Sequence, residues 1–526
     1  MINNRIKKLR KKFQRFKIDG YVVPKNDEFF SEYSDPDRLQ TISSFTGSAG
    51  IAVILKNKNY LFVDGRYTIQ AQLESGKNFK ILEYDRLFNC SIFKGLCLGI
   101  DPSLFTSLQV KKNFYKHNKI VQLENNLIDE IFEKNLISSK AFFSLSKKSV
   151  GESHKEKLKK INKFLQTKKA QYSFISAPEN VAWLLNIRGY DNPNSPIPNC
   201  RLFIDTKKTF YLIAEKKKTK NLLKEKKITS SQIIEPKNFK KFINQKSKKK
   251  IVIDNKTCSL FYENLFREKF KILKEQDPIY LLKSKKNKIE IQNMIDSHII
   301  DGVALTKFLY WIKIINKKKI TEFDAQEKLE SFRKKNKKYL FPSFNTISGS
   351  GKNGAIVHYR ATKKNSKIIN KNDIFLCDSG GQYKFGTTDV TRTICFSKPR
   401  KEIKNIFTKV LKGHIAVATT DLNVIKNGKL IDIRARKFLK KSNLDYKHGT
   451  GHGVGYFLNV HEGPQAISKY NKVKISEGMI LSNEPGYYKK GKFGIRIENL
   501  VYVKKIKKKQ FFENLTLAPI DKELIN

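Results

Sequence analysis

The chain has 526 residues, of which 39% are hydrophobic and 11% aromatic, and its formal net charge is +56. This length exceeds one ordinary hydrophobic core, so we expect two to four domains with enough apolar material for globular packing. No run approaches ~18 apolar residues, which argues against a membrane-spanning helix.

The N-terminal segment predicts a helix over Arg5–Lys17, because Ile6, Leu9, Phe13 and Phe16 recur at helical spacing. The segment is basic but lacks the continuous apolar core of a secretion signal. The six cysteines form no Cys-x-x-Cys pair. Without a secretion signal, they indicate reduced thiols in a cytoplasmic protein.

The positive charge has two explanations: a nucleic-acid or anionic-membrane partner, or a compositional drift towards Lys, Ile and Asn. The lysine runs are spread over the whole chain, at Lys216–Lys218, Lys248–Lys250, Lys317–Lys319 and Lys507–Lys509. They also lack the interleaved aromatic residues of a single-strand binder. We therefore favour solvated faces, and expect neither a nucleic-acid nor a membrane partner.

Two stretches of the chain look like diverged copies of one unit. After the N-terminal helix, the first copy has strands at Gly20–Val23, Ile51–Leu55 and Tyr60–Val63. The second has a helix at Glu156–Leu165, a turn at Pro178–Asn180, and strands at Tyr172–Ser176, Arg201–Ile204 and Thr209–Ile213. Helices that alternate with short apolar strands predict two α/β domains.

A third region opens with a long amphipathic helix from Ile291 to Ile312, and His298 on its apolar stripe is interpreted as a core residue. A second helix begins at Thr321, where Asp324 imitates a capping box imperfectly. Beyond it, strands and turns dominate, interrupted by a helix near Lys401–Thr419. The predicted domains are 1–145, 146–284 and 285–526.

Five side chains of the last region are typical metal ligands: Asp378, Asp389, His452, Glu484 and Glu498. Four carboxylates and one imidazole suit a pair of divalent cations such as Mn²⁺. Two such ions clamp a carbonyl and lower the pKa of a shared water, which gives a hydroxide nucleophile at neutral pH. The set predicts metal-assisted hydrolysis.

The local pattern places these ligands on strands. Ile374–Cys377 is a continuous apolar run that delivers Asp378 at its end, and Thr387–Phe396 is predicted to return as a second strand carrying Asp389. Strand alternation puts Arg496 on the same face as Glu498. An arginine beside a metal carboxylate would hold that ligand's charge and orientation.

His452 lies in the glycine-rich stretch His448–Gly455, where the glycines allow close backbone approach. Neither this stretch nor Ser350-Gly-Lys fits a phosphate-binding loop, so nucleotide binding is not predicted. His358 and His461 flank the ligands. Their neutral imidazoles would hydrogen-bond a substrate carbonyl or shuttle a proton.

Six C-terminal motifs together resemble those of Xaa-Pro aminopeptidases (aminopeptidase P) of the three-domain, cytosolic type. The motifs are Asp378-Ser-Gly, Thr387-Thr-Asp-Val-Thr-Arg, His448-Gly-Thr-Gly-His-Gly-Val-Gly, His461-Glu-Gly-Pro, Asn483-Glu-Pro-Gly and Gly494-Ile-Arg-Ile-Glu-Asn. Asp64-Gly-Arg-Tyr and Asn180–Gly189 extend the resemblance over nearly the whole chain.

The resemblance implies two creatinase-type N-terminal α/β domains followed by a pita-bread metallopeptidase domain, two Mn²⁺ ions, and release of the N-terminal residue from peptides with proline second. The five ligands would hold the metals, with Asp389 and Glu498 bridging them. Glu484 would act as general base, and His358 and His461 would contact the scissile bond. Arg66 would reach the substrate across a homodimer.

Three alternatives stay open. A prolidase-type Xaa-Pro dipeptidase shares the catalytic fold but usually has one N-terminal domain. A creatinase-type hydrolase lacks the metal ligands. A non-catalytic pita-bread module that binds peptides or histones typically loses ligands, whereas all five are present here.

Overall fold

The computed structural model describes residues 2–33, 36–88, 92–132, 140–315 and 317–526. It divides into two compact units. The first comprises Met1–Ser146, Glu152–Pro193 and Ile197–Ile279, and the second comprises Lys147–Gly151, Asn194–Pro196 and Tyr280–Asn526. No helix among the described residues combines the length and apolar character needed to cross a lipid bilayer.

The first unit contains two six-stranded sheets. The strands of the first sheet are Lys80–Glu83, Asn59–Val63, Ile51–Leu55, Gly20–Pro24, Cys97–Ile100 and Lys119–Gln122, in spatial order. Its helices are Ile2–Arg10, Arg38–Ser43, Thr68–Ser75, Tyr84–Phe88 and Ser107–Val110. Gly20–Pro24 is antiparallel to Ile51–Leu55 and parallel to Cys97–Ile100.

The second sheet repeats this arrangement. Its strands, in spatial order, are Ile233–Ile234, Phe210–Ile213, Arg201–Asp205, Tyr172–Ile175, Lys250–Ile253 and Lys271–Lys274. Its helices are His154–Thr167, Pro178–Leu185, Lys220–Lys224, Phe239–Asn244 and Leu260–Arg267. Tyr172–Ile175 is again antiparallel to one neighbour and parallel to the other. The predicted repeat is therefore confirmed by strand order and direction.

Two local predictions in this unit are wrong. The N-terminal helix ends at Arg10, and turns follow it as far as Lys17, whose φ is 51°. The segment predicted as a turn at Pro178–Asn180 begins a helix, Pro178–Leu185. Proline is suited to the first helical turn because its φ is already helical and no intrahelical N–H is needed there.

The main segment of the second unit contains two long helices, Lys288–Ile314 and Glu322–Arg333, which follow the short helix Ile279–Ser284. His298 is 3% exposed and its Nδ1 lies 2.7 Å from the Met294 carbonyl oxygen, which confirms it as a core residue. The capping box before the second helix is complete, contrary to prediction, because the Asp324 carboxylate accepts the Thr321 N–H at 2.9 Å.

Short antiparallel strands make up most of the remainder. They are Tyr339–Pro342, Ile347–Ser350, Phe375–Ser379, Gly381–Tyr383, Gly386–Thr387, Val390–Ile394, Gly451–Gly453, Glu462–Ile467, Ile480–Asn483, Gly486–Lys489, Phe493–Arg496, Asn499–Ile506 and Lys509–Asn514. The predicted helix near Lys401–Thr419 is confirmed at Lys401–Ala418. A further helix, Gly428–Lys440, was not predicted, although Ile431, Ala435 and Leu439 recur on its buried side at helical spacing.

The five described cysteines are free thiols, and Cys90 lies outside the described residues. Cys377 is 1% exposed within the core of the second unit, as predicted for a strand residue beside Asp378.

Candidate metal centre

A three-stranded antiparallel sheet presents the first two carboxylates. Its central strand, Phe375–Ser379, carries Asp378 and pairs with Ile347–Ser350 and Val390–Ile394. Asp389 immediately precedes the last of these strands, opposite the end of the central one. The predicted single strand Thr387–Phe396 is thus wrong in detail, because Thr388 and Asp389 separate two shorter strands.

Close backbone approach positions the predicted imidazole ligand. His452 lies in Gly451–Gly453, which pairs with Glu462–Ile467 and Ile480–Asn483. A Cβ atom at Gly451 would lie 1.9 Å from the Ser482 carbonyl oxygen, so a glycine is required there. Glu484 directly follows the strand Ile480–Asn483, and its N–H donates to the Thr450 carbonyl at 2.8 Å.

The fold brings these ligands together. One ligand atom each from Asp389, His452 and Glu498 lies within 4.8 Å of the others. His452 Nε2 lies 3.4 Å from Asp389 Oδ2 and also 3.4 Å from Glu484 Oε1. The negative charges of Asp389 and Glu484 also act on the Asp378 carboxyl. All five predicted ligands therefore share one region, and their role as metal ligands stays a prediction.

The orientation of His452 suits metal ligation. Its Nδ1 lies 2.9 Å from the Gly453 carbonyl oxygen, so an Nδ1–H donor there directs Nε2 at the carboxylates. Burial by itself would lower the pKa of His452, but the hydrogen bond with Asp389 and the charge of Glu484 raise it to about 9. The imidazole thus lies between two carboxylates that favour its protonated form.

The carboxylates carry more negative charge than their surroundings balance. Burial raises the pKa of Asp378 to about 6, although Arg496 opposes the shift. Burial and the charges of Asp389 and Glu484 raise the pKa of Glu498 well above its ordinary value. Asp378 Oδ1 is also buried without a hydrogen-bond partner among the described residues. Divalent cations fit this donor set, because their charge would relieve the repulsion and occupy that oxygen.

Arg496 links the carboxylates of Asp378 and Glu498. The strand that carries it, Phe493–Arg496, is shorter than predicted and ends before Glu498. Its guanidinium donates to Asp378 Oδ2 at 2.5 Å and to Thr391 Oγ1 at 3.0 Å. Thr391 in turn donates to Glu498 Oε2 at 2.7 Å. Strand alternation predicted Arg496 beside Glu498, but the arginine contacts Asp378 directly and Glu498 only through Thr391, and its role in holding a metal ligand stays a prediction.

Sequence reasoning gave no role to three neighbours of this arginine. Thr391 lies in the motif Thr387–Arg392, and Tyr488 accepts from Arg496 Nη1 at 2.6 Å. His448 Nε2 lies 2.9 Å from the Tyr488 hydroxyl. The clustering of His448 with the other histidines was visible in sequence, whereas nothing local marked Tyr488.

The remaining predicted residues occupy different surroundings. His461 is exposed, and its ring centroid lies 4.2 Å from that of His452. His358 is half-buried in the turn after Gly351–Ala355. Arg66 lies in the first unit, where it pairs with Asp64 at 2.7 Å. The substrate contacts of these three residues stay predictions.

Three protein-family models match the chain. The model for metallopeptidase family M24 covers residues 292–505, and two models for creatinase/prolidase N-terminal domains cover 5–119 and 133–290. Curated relatives include a probable Xaa-Pro aminopeptidase P of Laccaria bicolor, 36% identical over 99% of this chain and 86% of the relative. Another, from Aspergillus niger, is 36% identical over 100% of this chain and 92% of the relative.

Solved structures support the same grouping. The X-prolyl aminopeptidase of Caenorhabditis elegans, described as a cytosolic enzyme with a di-nuclear active site, covers 100% of this chain and 92% of its own, with a TM-score of 0.92 and 28% identity. The prolidase of Pyrococcus furiosus covers 68% of this chain and 99% of its own, with a TM-score of 0.55 and 25% identity.

These matches confirm the predicted fold class of two creatinase-type α/β domains followed by a pita-bread metallopeptidase domain. The chain belongs to the Xaa-Pro aminopeptidase P family of M24 metallopeptidases.

Proposed function

We propose that this chain is an Xaa-Pro aminopeptidase that releases the N-terminal residue from peptides with proline at the second position. The observation that carries the proposal is the gathering of Asp389, His452 and Glu498, with Glu484 3.4 Å from the same imidazole. Full-length similarity to curated relatives of that name supports it.

We propose that Asp378, Asp389, His452, Glu484 and Glu498 hold two divalent ions, with Mn²⁺ as the physiological metal. Hard oxygen donors with a single imidazole suit Mn²⁺. When bound, the ions supply Lewis-acid polarisation of the scissile carbonyl and a lower pKa for the attacking water. Because the bond before proline is a tertiary amide with no N–H, recognition through the carbonyl suits this substrate.

The protein's own residues would move the protons and orient the peptide. Glu484 receives the proton of the attacking water. His358 and His461 hold the scissile carbonyl and pass a proton to the departing proline nitrogen. Arg496 keeps Asp378 ionised and oriented through their hydrogen bond.

We further propose the domain boundaries 1–145, 146–284 and 285–526, a cytoplasmic location, and a homodimer in which Arg66 reaches the substrate. The cytosolic description of the Caenorhabditis elegans enzyme supports the location. The exposed fraction of the Arg66 side chain, 33%, is compatible with contact to a peptide.

The second candidate is a prolidase that cleaves Xaa-Pro dipeptides. Solved prolidases cover 68% to 70% of this chain, whereas the Caenorhabditis elegans aminopeptidase covers all of it. The second creatinase-type domain at 133–290 therefore favours the aminopeptidase.

The test is hydrolysis of Xaa-Pro-Yaa tripeptides and Xaa-Pro dipeptides by purified protein with added Mn²⁺. We expect tripeptide cleavage before proline, and loss of cleavage in Asp389→Asn. The matched control is Glu477→Gln, which changes an exposed carboxylate of the same unit by the same charge. Cleavage of dipeptides alone would assign the chain to the prolidases.

A further inference from the structure

The second six-stranded sheet collects lysines from four distant stretches of sequence at one edge. An open groove there, about 710 Å³ in volume, is lined by Lys169, Lys207, Lys248–Lys250, Lys269 and Lys271. We call it the lysine groove. These seven lysines span about a hundred positions of sequence (169 to 271), so no single run reveals them.

Strand direction explains the gathering. Tyr172–Ile175, Lys250–Ile253 and Lys271–Lys274 are parallel, with Lys250 opposite Lys271 and Ile251 opposite Tyr172. Parallel strands begin at the same edge of a sheet, so the lysines that precede each strand meet there. The turn containing Lys207 reaches this edge as well, because Asp205 lies opposite Tyr172 on an antiparallel strand.

The charge of the groove is not neutralised by its own surroundings. Among the described residues that line it, Glu268 is the only acidic one, and the one arginine, Arg267, already pairs with Glu263 at 2.6 Å. In the part of the chain that the structure describes, none of the seven ammonium groups forms an ion pair with a carboxylate. The groove therefore holds a concentrated positive potential that attracts a polyanion.

The residue types select among polyanions. Lysine binds phosphate as a compact point charge, whereas the planar fork of arginine pairs bidentately with carboxylates and phosphates alike, so a groove of lysines suits phosphate contacts that require no fixed geometry. Single-strand binding needs exposed aromatic side chains, but Phe270, the one aromatic residue in the described lining of the groove, is 7% exposed.

We propose that the lysine groove binds the phosphodiester backbone of a nucleic-acid duplex, independently of base sequence and of the sugar. Of the four lysine runs in the sequence, only Lys248–Lys250 lies in this groove, and the other four lysines join it from outside those runs through the pairing of the sheet. The proposal concerns the first unit alone and does not depend on the peptidase activity.

The test uses full-length protein and a fluorescent RNA duplex of about 20 base pairs, with anisotropy measured from about 50 to 200 mM salt. The groove variant is Lys248→Gln/Lys249→Gln/Lys271→Gln. The matched control is Lys507→Gln/Lys508→Gln/Lys509→Gln, an exposed lysine run of the second unit with the same loss of charge. Circular dichroism and peptide turnover, expected to be unchanged, show that both variants are folded.

We expect the groove variant to lose about tenfold or more in affinity and to reduce the slope of log K against log salt by about 2 to 3, while the control changes affinity less than about twofold. A DNA duplex of the same length should bind within about tenfold of RNA, since only the backbone is contacted. Equal losses in the two variants would overturn the proposal. If single strands, phosphatidylserine vesicles or polyglutamate bind more tightly than the duplex, the assignment of a nucleic-acid duplex as the ligand of the groove is wrong.

Discussion

The carboxylate of Glu322 organises the loop that carries His358, and its conversion to an amide tests that arrangement. Glu322 is 0% exposed at the start of the helix Glu322–Arg333. One oxygen accepts the Ser350 N–H at 2.7 Å, and the other accepts the Tyr359 hydroxyl at 2.8 Å and the Lys367 N–H at 3.2 Å. The side-chain amide of Asn353 donates to both oxygens, at 3.0 and 2.9 Å. This single carboxylate thus joins both sides of the 350–367 loop.

Glu322→Gln places an NH₂ group against donors in either orientation of the amide. At least one buried backbone N–H then faces another donor, and its acceptor is no longer charged. A buried unsatisfied donor costs about 1 to 3 kcal/mol, and a hydrogen bond to a charged group contributes about 1.5 to 3 kcal/mol. We therefore expect a loss of about 3 kcal/mol, or roughly 6 to 12 °C in the melting temperature of a unit of this size.

Calorimetry of the metal-free protein measures this change, and tripeptide kinetics report on the loop. The matched control is Glu327→Gln, an exposed glutamate on the same helix, which should melt within about 1 °C of the parent. We expect kcat/KM to fall at least about tenfold in Glu322→Gln even at temperatures where it stays folded. A melting temperature equal to that of the parent would refute the role of this carboxylate.

Three further predictions concern the metal centre. Gly451→Ala should destabilise the protein by about 1 to 3 kcal/mol by chemical denaturation, because its methyl group would meet the Ser482 carbonyl oxygen; an unchanged midpoint would contradict the packing. The metal-free protein should lose stability as pH rises, first through about 6 and then through about 9. Asp378 and His452 both have raised folded pKa values, so each stabilises below its unfolded pKa and loses that contribution above its folded one. A shift of two pKa units corresponds to about 3 kcal/mol of stability. Added Mn²⁺ should restore stability at high pH and release protons in calorimetric titrations. Mn²⁺ binding without proton release would contradict this prediction. Arg496→Lys should weaken Mn²⁺ affinity by about 10- to 100-fold, since lysine cannot make the same directed hydrogen bonds; unchanged affinity would remove the orienting role.

Sequence alone determined the elements whose signals are local. The apolar strands Gly20–Pro24 and Ile51–Leu55, and the helix Lys401–Ala418, follow from short-range periodicity and agree with the structure to within a residue. The errors are also local: Pro178 was interpreted as a turn residue although it suits a first helical turn, and Asp324 completes a capping box that usually has a longer acid. Local residue preferences predict whether a segment forms a helix or a strand. The exact residue at which a helix begins depends on which side chains can reach its first N–H groups.

The residue types of the proposed centre, four carboxylates and one histidine, were likewise determined by the sequence. Their meeting was decided by tertiary structure, because Asp378 and Glu498 approach only through strand pairings and the bridge from Arg496 to Thr391. The same reason applies to the lysine groove, where parallel strands start at one edge. The sequence determines which side chains are available, and long-range hydrogen bonding between strands determines which of them lie close together.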